Sequence, residues 1–238
     1  MSRRILVVLS VLAGLAGGSA YGSEAGIKQA FQGRFPAAAV ESVTRTPFAG
    51  IYEVQFDGQI AYTDDKINFV LFGNLYDMRG GAERNLTRER GAQVTLQTLR
   101  KSTDLAIKRV RGTGKRVIYT FEDPNCGYCK ELQKELAKVT DVTIYTFLWP
   151  ILSQDSVDKS RAVWCAKDRG KAWDELMSHG TTPQNDGKCD TPIEKNMQLA
   201  QRFGVRGTPA IFFADGRMNP GVLPADKLEQ AMNSAASR

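Results

Sequence analysis

The segment Val117-Ile118-Tyr119-Thr120-Phe121-Glu122-Asp123-Pro124-Asn125-Cys126-Gly127-Tyr128-Cys129-Lys130 decides the fold. Its first five residues are β-branched or aromatic, the composition of a buried strand. Leu132, Leu136 and Val139 then follow the cysteines at i, i+4 and i+7, the spacing of one helix face. The apolar run Val142 to Leu148 predicts a second strand, so the cysteines lie at a helix N-terminus inside a βαβ unit. Unsatisfied N–H groups and the positive end of the helix dipole favour a thiolate on Cys126 there. Cys129, one turn later, shares the inner face with Leu132 and Leu136 and is expected to be less exposed. The pair reads as a redox dithiol in which Cys126 attacks a substrate disulfide and Cys129 resolves the mixed disulfide.

A Cys-x-x-Cys is also half of a zinc ribbon, but such sites need a second cysteine pair or paired histidines. Cys165 and Cys189 stand singly and His179 is the only histidine, so neither a metal nor another cofactor is expected. His179 has no neighbouring Cys or Asp arranged for catalysis and reads as a surface or loop-packing residue.

Residues 1–22 read as an export signal. Arg3 and Arg4 form a basic start, Ile5 to Leu15 an apolar stretch, and Gly17-Gly18-Ser19-Ala20 the small residues of a cleavage site. The stretch is short for a lasting membrane anchor, which wants about 20 residues, and no later segment is apolar enough to span. The mature chain is therefore expected in an oxidising exported compartment, without stable membrane insertion. Losing Arg3 and Arg4 lowers the formal net charge from +6 to +4. Lys and Arg are interleaved with Asp and Glu throughout, so no nucleic-acid stripe is indicated.

Residues 23–78 read as a small domain of one helix followed by β-hairpins. Ile51 to Phe56, Asp57-Gly58 and Gln59 to Tyr62 form a strand, a two-residue turn and a strand. A further strand is expected over Ile67 to Phe72, and an open edge strand offers a means of self-association. Residues 79–115 are rich in charged and polar side chains, and Leu96, Leu99, Leu105, Ile107 and Val110 make only a broken stripe. A partly exposed linker helix ending at Arg111-Gly112-Thr113-Gly114 is expected. Residues 116–238 form the redox domain, with a helical insert at about 150–204 covering its active face. Within it helices are expected over about Asp155 to Lys167 and near Lys171 to Met177. A third is expected from Thr191-Pro192-Ile193-Glu194, with Thr191 as N-cap. Gly207-Thr208-Pro209-Ala210 precedes an apolar strand, which a proline can only start, and with the upstream cysteines it suggests a cis-proline loop. Asp215-Gly216 then turns the chain towards a closing helix at about Ala225 to Ala235.

Strand, Cys-x-x-Cys helix, strand, helical insert, Gly-Thr-Pro, hairpin and terminal helix together resemble the thioredoxin superfamily. Cys126-Gly127-Tyr128-Cys129, Ala162-Val163-Trp164-Cys165-Ala166-Lys167-Asp168 and Gly207-Thr208-Pro209-Ala210 narrow the resemblance to the DsbC family of bacterial periplasmic disulfide isomerases. Tyr62-Thr63-Asp64-Asp65 and Gly73-Asn74-Leu75-Tyr76-Asp77 resemble that family's dimerisation domain. The fold class so implied is α/β: a thioredoxin fold with a helical insertion, preceded by a small α+β cystatin-like dimerisation domain and a linker helix. The resemblance further implies a V-shaped periplasmic homodimer whose redox sites face an uncharged cleft holding misfolded exported proteins. It implies associated chaperone activity, and a dithiol kept reduced by a membrane reductase of the DsbD type. Thr208 and Pro209 would bind an extended substrate beside Cys126 by strand addition, with Gly127 and Tyr128 as further substrate contacts.

Ordinary thioredoxins carry a buried Asp six residues before the first cysteine, where this chain has Thr120. Glu122 and Asp123 are near, but acids in such a loop are commonly solvated turn formers and are not assigned a catalytic role. Cys165 and Cys189 are most simply a structural disulfide in an oxidising compartment, and the resemblance agrees. Closing that loop is worth roughly 3.5 kcal/mol in the chain-entropy model. This bond is expected to be buried and the active-site pair exposed. A disulfide donor or reductase would use the same atoms, its direction set by redox poise. A dimeric chaperone without redox turnover is the reading from another class.

Overall fold

The computed structural model describes residues 22–236. Residues 1–21 of the expected export signal lie outside them. The described chain divides into two compact units, one ending at Phe72 and one beginning at Gly73.

In the first unit, α1 (Glu24–Arg34) starts at Ser23, whose Oγ accepts from the Gly26 N–H at 3.0 Å, satisfying one orphan donor of the first turn. The strands β1 (Val40–Arg45), β2 (Tyr52–Phe56), β3 (Gln59–Thr63) and β4 (Leu71–Phe72) form an antiparallel sheet in that order. Asp57 and Gly58 both have positive φ, 48° and 74°, the backbone a two-residue hairpin with native twist requires. Ile27 and Phe31 of α1 pack with Val40, Val43, Tyr52 and Val54 in one core. The strand expected over Ile67 to Phe72 is only Leu71–Phe72. Asp64 accepts from the Asn68 N–H through its side chain and from the Ile67 N–H through its carbonyl. This local turn holds the buried Ile67 at φ 56° and out of the ladder.

The second unit opens with β5 (Tyr76–Asp77) and β6 (Arg84–Asn85), a two-stranded ribbon leading into α2 (Leu86–Lys101). The expected linker helix stops here. Ile107–Arg111 is a strand, β7, whose pattern runs buried, exposed, buried, exposed from Ile107 to Val110. That period-two alternation fits the edge of a sheet and not a helix face. The segment therefore belongs to the redox fold. Its sheet runs in the order β11 (Met218–Pro220), β10 (Ala210–Phe213), β8 (Arg116–Glu122), β9 (Val142–Leu148), β7. β8 and β9 are parallel and the other pairings antiparallel.

α3 (Gly127–Leu136) crosses between β8 and β9 and buries Leu132 and Leu136 with Ile118, Ile144 and Ile211. The insert consists of α4 (Gln154–Trp164), capped by Ser153, α5 (Arg169–His179), capped by Asp168 and closed by Gly180 at φ 73°, and α6 (Ile193–Arg202). Thr191 is not the cap of α6: Pro192 occupies that position and makes no side-chain cap bond. α7 (Ala225–Ala236) closes the chain against β8 and β10. Among the described residues no helix is long and apolar enough to cross a membrane.

Candidate active site

Cys126 is the N-cap of α3, and its Sγ accepts from the Cys129 N–H at 3.4 Å. On its other side the Cys126 thiol lies 3.3 Å from the Thr208 carbonyl oxygen. Thr208 precedes Pro209 across a cis peptide bond at the start of β10, which pairs Ala210 with Phe121 of β8. The sheet register thus brings the proline loop to the cysteine loop. Tyr128 is 72% exposed, and Gly127 has open space where a Cβ would stand. Both therefore lie on the outer, open side of the helix start.

Neither sulfur of the dithiol is widely exposed: Cys126 is 7% accessible and Cys129 fully buried, both as free thiols. The disulfide Cys165–Cys189 joins the C-cap of α4 to the loop before α6, with the Cα atoms 5.7 Å apart. Cys165 is only partly buried and Cys189 is exposed. The expectation of exposed chemistry and buried structure is therefore reversed. A helix-cap cysteine is covered by the loops that position it, whereas the disulfide staples a surface loop to a helix end.

Asp123 and Glu122 also depart from expectation, for both are fully buried. Asp123 accepts four hydrogen bonds. Oδ1 takes the Asn125 N–H and the Ser156 hydroxyl, each at 2.8 Å, and Oδ2 the Ile151 and Leu152 N–H groups at 2.8 and 3.0 Å. Its carbonyl accepts from the Cys126 N–H at 3.1 Å. One carboxylate thus fixes the turn that places Cys126 on the helix start and ties it to the insert. Asn125 is held in turn by Asp155 and Lys159 of α4.

Glu122 lies two residues from Thr120 on β8 and so on the same face of the sheet. Its Oε1 accepts from Thr120 Oγ1 at 2.7 Å, and its Oε2 from Gln133 Nε2 at 2.7 Å. Gln133 is on α3, one turn beyond Cys129. Burial pushes the Glu122 carboxyl above its ordinary pKa, opposed by the positive charge of Arg109 and by the hydrogen bonds it accepts. Burial likewise drives the Cys129 thiol far up, and the Glu122 charge adds to that rise. Burial thus raises the pKa of both groups, and the charge on Glu122 is felt at the Cys129 thiol. The readable signal for Glu122 was its phase with Thr120. Among the described residues no cluster of three or more His, Cys, Asp or Glu is placed to hold a metal.

Residues 103–236 match the thioredoxin-like domain family, and residues 18–88 match the disulfide bond isomerase protein N-terminal domain. Among curated relatives, a probable thiol:disulfide interchange protein DsbC of Bordetella parapertussis is 44% identical over 204 residues, covering 85% of this chain and 72% of the relative. The thiol:disulfide interchange protein DsbC of Escherichia coli strain K12 is 29% identical over 191 residues, covering 79% of this chain and 78% of the relative. The crystal structure of a disulfide interchange protein from Neisseria gonorrhoeae superposes with a TM-score of 0.54 at 41% identity, over 56% of this chain and 97% of that one.

Proposed function

This chain belongs to the DsbC family of thiol:disulfide interchange proteins, and on that premise we propose that it rearranges incorrect disulfides in exported proteins through Cys126 and Cys129. The observation that carries the reading is the placement of Cys126, capped into the helix start and facing the Thr208 carbonyl at 3.3 Å. In the reaction the Cys126 thiolate attacks one sulfur of a wrong disulfide. A mixed disulfide forms, and the other substrate sulfur leaves as a thiolate. That thiolate either attacks elsewhere in the substrate, completing isomerisation and returning Cys126, or the intermediate stalls. In a stalled intermediate Cys129 transfers its proton to Glu122, attacks Cys126 Sγ and expels the substrate sulfur as a thiolate. The substrate bond is then reduced and Cys126–Cys129 oxidised. Thr208 and Pro209 present the backbone along which an extended substrate lies, with Gly127 and Tyr128 beside it.

The oxidised pair must be reduced again, a task we assign to a membrane reductase of the DsbD type in the periplasm. The basic, apolar and small-residue pattern of residues 1–22 supports export to that compartment. The first unit supports a homodimer: β4 lies at the sheet edge, with Leu71 and Phe72 exposed at 55% and 60% and Phe69 near them at 45%. Such an apolar edge favours pairing with a copy of itself. Two linked sites would hold one misfolded chain through repeated exchange and lend the protein chaperone activity. The test is refolding of a scrambled multi-disulfide protein by the full chain and by a chain lacking residues 23–72. The full chain is expected to restore native pairing, and the shortened one to reduce small disulfides but repair poorly. Equal repair by a monomeric shortened chain would remove the dimer from the mechanism.

A further inference from the structure

A row of buried polar groups runs across the sheet beneath α3, and its far end is a cation. Arg109 on β7 is 7% exposed. Its guanidinium donates to Gln133 Oε1 at 2.6 Å, to Thr146 Oγ1 of β9 at 3.0 Å and to Asp174 Oδ1 of α5 at 2.7 Å. Gln133 and Thr146 both continue to Glu122: Gln133 donates to its Oε2, and Thr146 lies 3.5 Å from its Oε1. Arg109 and Glu122 are therefore bridged twice by neutral side chains. An arginine on an edge strand could turn to water at little cost. This one points inward, where a charge is tolerated only with partners.

We propose that Arg109 is a positioning residue for the resolving step, orienting Glu122 through Gln133 and Thr146 and favouring its charged form against the burial that opposes it, so that it can take the Cys129 proton. The inference rests on the reading above, in which Glu122 is that proton's acceptor. A carboxyl with no accessible surface beside a buried thiol would keep its own proton near neutral pH and could accept no other. The groups that meet across this layer are Arg109 from β7, Thr120 from β8, Thr146 from β9, Cys129 and Gln133 from α3 and, behind Arg109, Asp174 from α5. Arg109 supplies the positive charge among them. Asp174, whose side chain is 49% exposed, shares the same guanidinium nitrogen as Gln133 and draws part of that charge outward. The two residues should thus act on the resolving step with opposite sign, and Asp174 more weakly because water screens it.

The balance of the step is closed. The Cys129 S–H bond breaks and an O–H bond forms on Glu122. The Cys129–Cys126 bond forms as the bond from Cys126 to the departing sulfur breaks, and that sulfur leaves with the electron pair.

The test is a single turnover with the full chain. Cys126 is loaded as a mixed disulfide with 2-nitro-5-thiobenzoate, and release of the coloured thiolate by Cys129 is timed across pH. Arg109→Met should move the midpoint of the rate profile up by about one pH unit, so that release is about tenfold slower below it. Arg109→Lys should lie between Met and the wild type, and Asp174→Asn should move the midpoint down by about a third of a unit. Should Arg109→Met fail to fold, the opposed signs of Arg109→Lys and Asp174→Asn carry the same information. Profiles of Arg109→Lys and Asp174→Asn that superimpose on the wild type, or move the same way, overturn the inference. Glu122→Gln separates it from its premise. A Glu122→Gln profile identical to the wild type defeats Glu122 as acceptor. A shifted Glu122→Gln profile with unmoved Arg109 and Asp174 variants defeats the role of Arg109 alone.

Discussion

The two cysteine pairs of the second unit have the same atoms and opposite surroundings. Cys126 and Cys129 are three residues apart at a helix start, almost without accessible surface, and remain thiols. Cys165 and Cys189 are 24 residues apart, the first partly buried and the second exposed, and bonded. Exposure therefore does not sort the free pair from the bonded one. Electrostatics and neighbours do. Cys126 has the helix end, a backbone carbonyl and an anchored loop, and Cys129 a buried carboxyl. The disulfide has a loop whose closure reduces the freedom of the unfolded chain.

The largest expected effect is on chemistry. Cys126→Ser should abolish repair of a scrambled protein, and undiminished repair would erase the distinction between the pairs. On stability, Cys165→Ala with Cys189→Ala should lower unfolding free energy by roughly 3.5 kcal/mol, measured in denaturant. The folded double variant should keep its turnover. A loss of turnover as complete as that of Cys126→Ser would make the second pair part of the site.

Smaller effects sharpen the role of the buried acids. Asp123→Asn replaces one acceptor oxygen by an amide that cannot receive the donors now aimed at it, and should cost about 1–3 kcal/mol. Smaller still, and confined to a pH window, is the effect of Glu122. With its pKa raised by burial, the folded protein keeps this proton after the unfolded chain has lost it. Its contribution is then complete below the unfolded value and is lost as pH rises through the folded one. Glu122→Gln should flatten that fall in a plot of unfolding free energy against pH. A slope equal to that of the wild type would show that the carboxyl titrates alike in both states.

These distinctions were unequally legible in the sequence. The order of β8, α3 and β9 could be read because Val117 to Phe121, Leu132, Leu136 and Val142 to Leu148 carry the apolar periodicity of their elements. β7 could not: Lys108, Arg109 and Arg111 give it the composition of a surface helix, and Arg109 is buried through Gln133, Thr146 and Asp174, all distant in sequence. Glu122 was half legible, since its phase with Thr120 aims it inward, but its partners Gln133 and Thr146 emerge only from the folded register. Asp123 was misjudged as a solvated turn residue because two of its donors, Ile151 and Leu152, arrive from a loop beyond the next strand.

The contrast between the pairs is tested most directly by trapping. Full-length Cys129→Ser protein is mixed with a scrambled multi-disulfide substrate, quenched with acid and alkylating agent, and mapped by mass spectrometry. The account predicts substrate linked to Cys126 and Cys165–Cys189 still bonded to each other. Substrate linked to Cys165 or Cys189, or no adduct on Cys126, would contradict it.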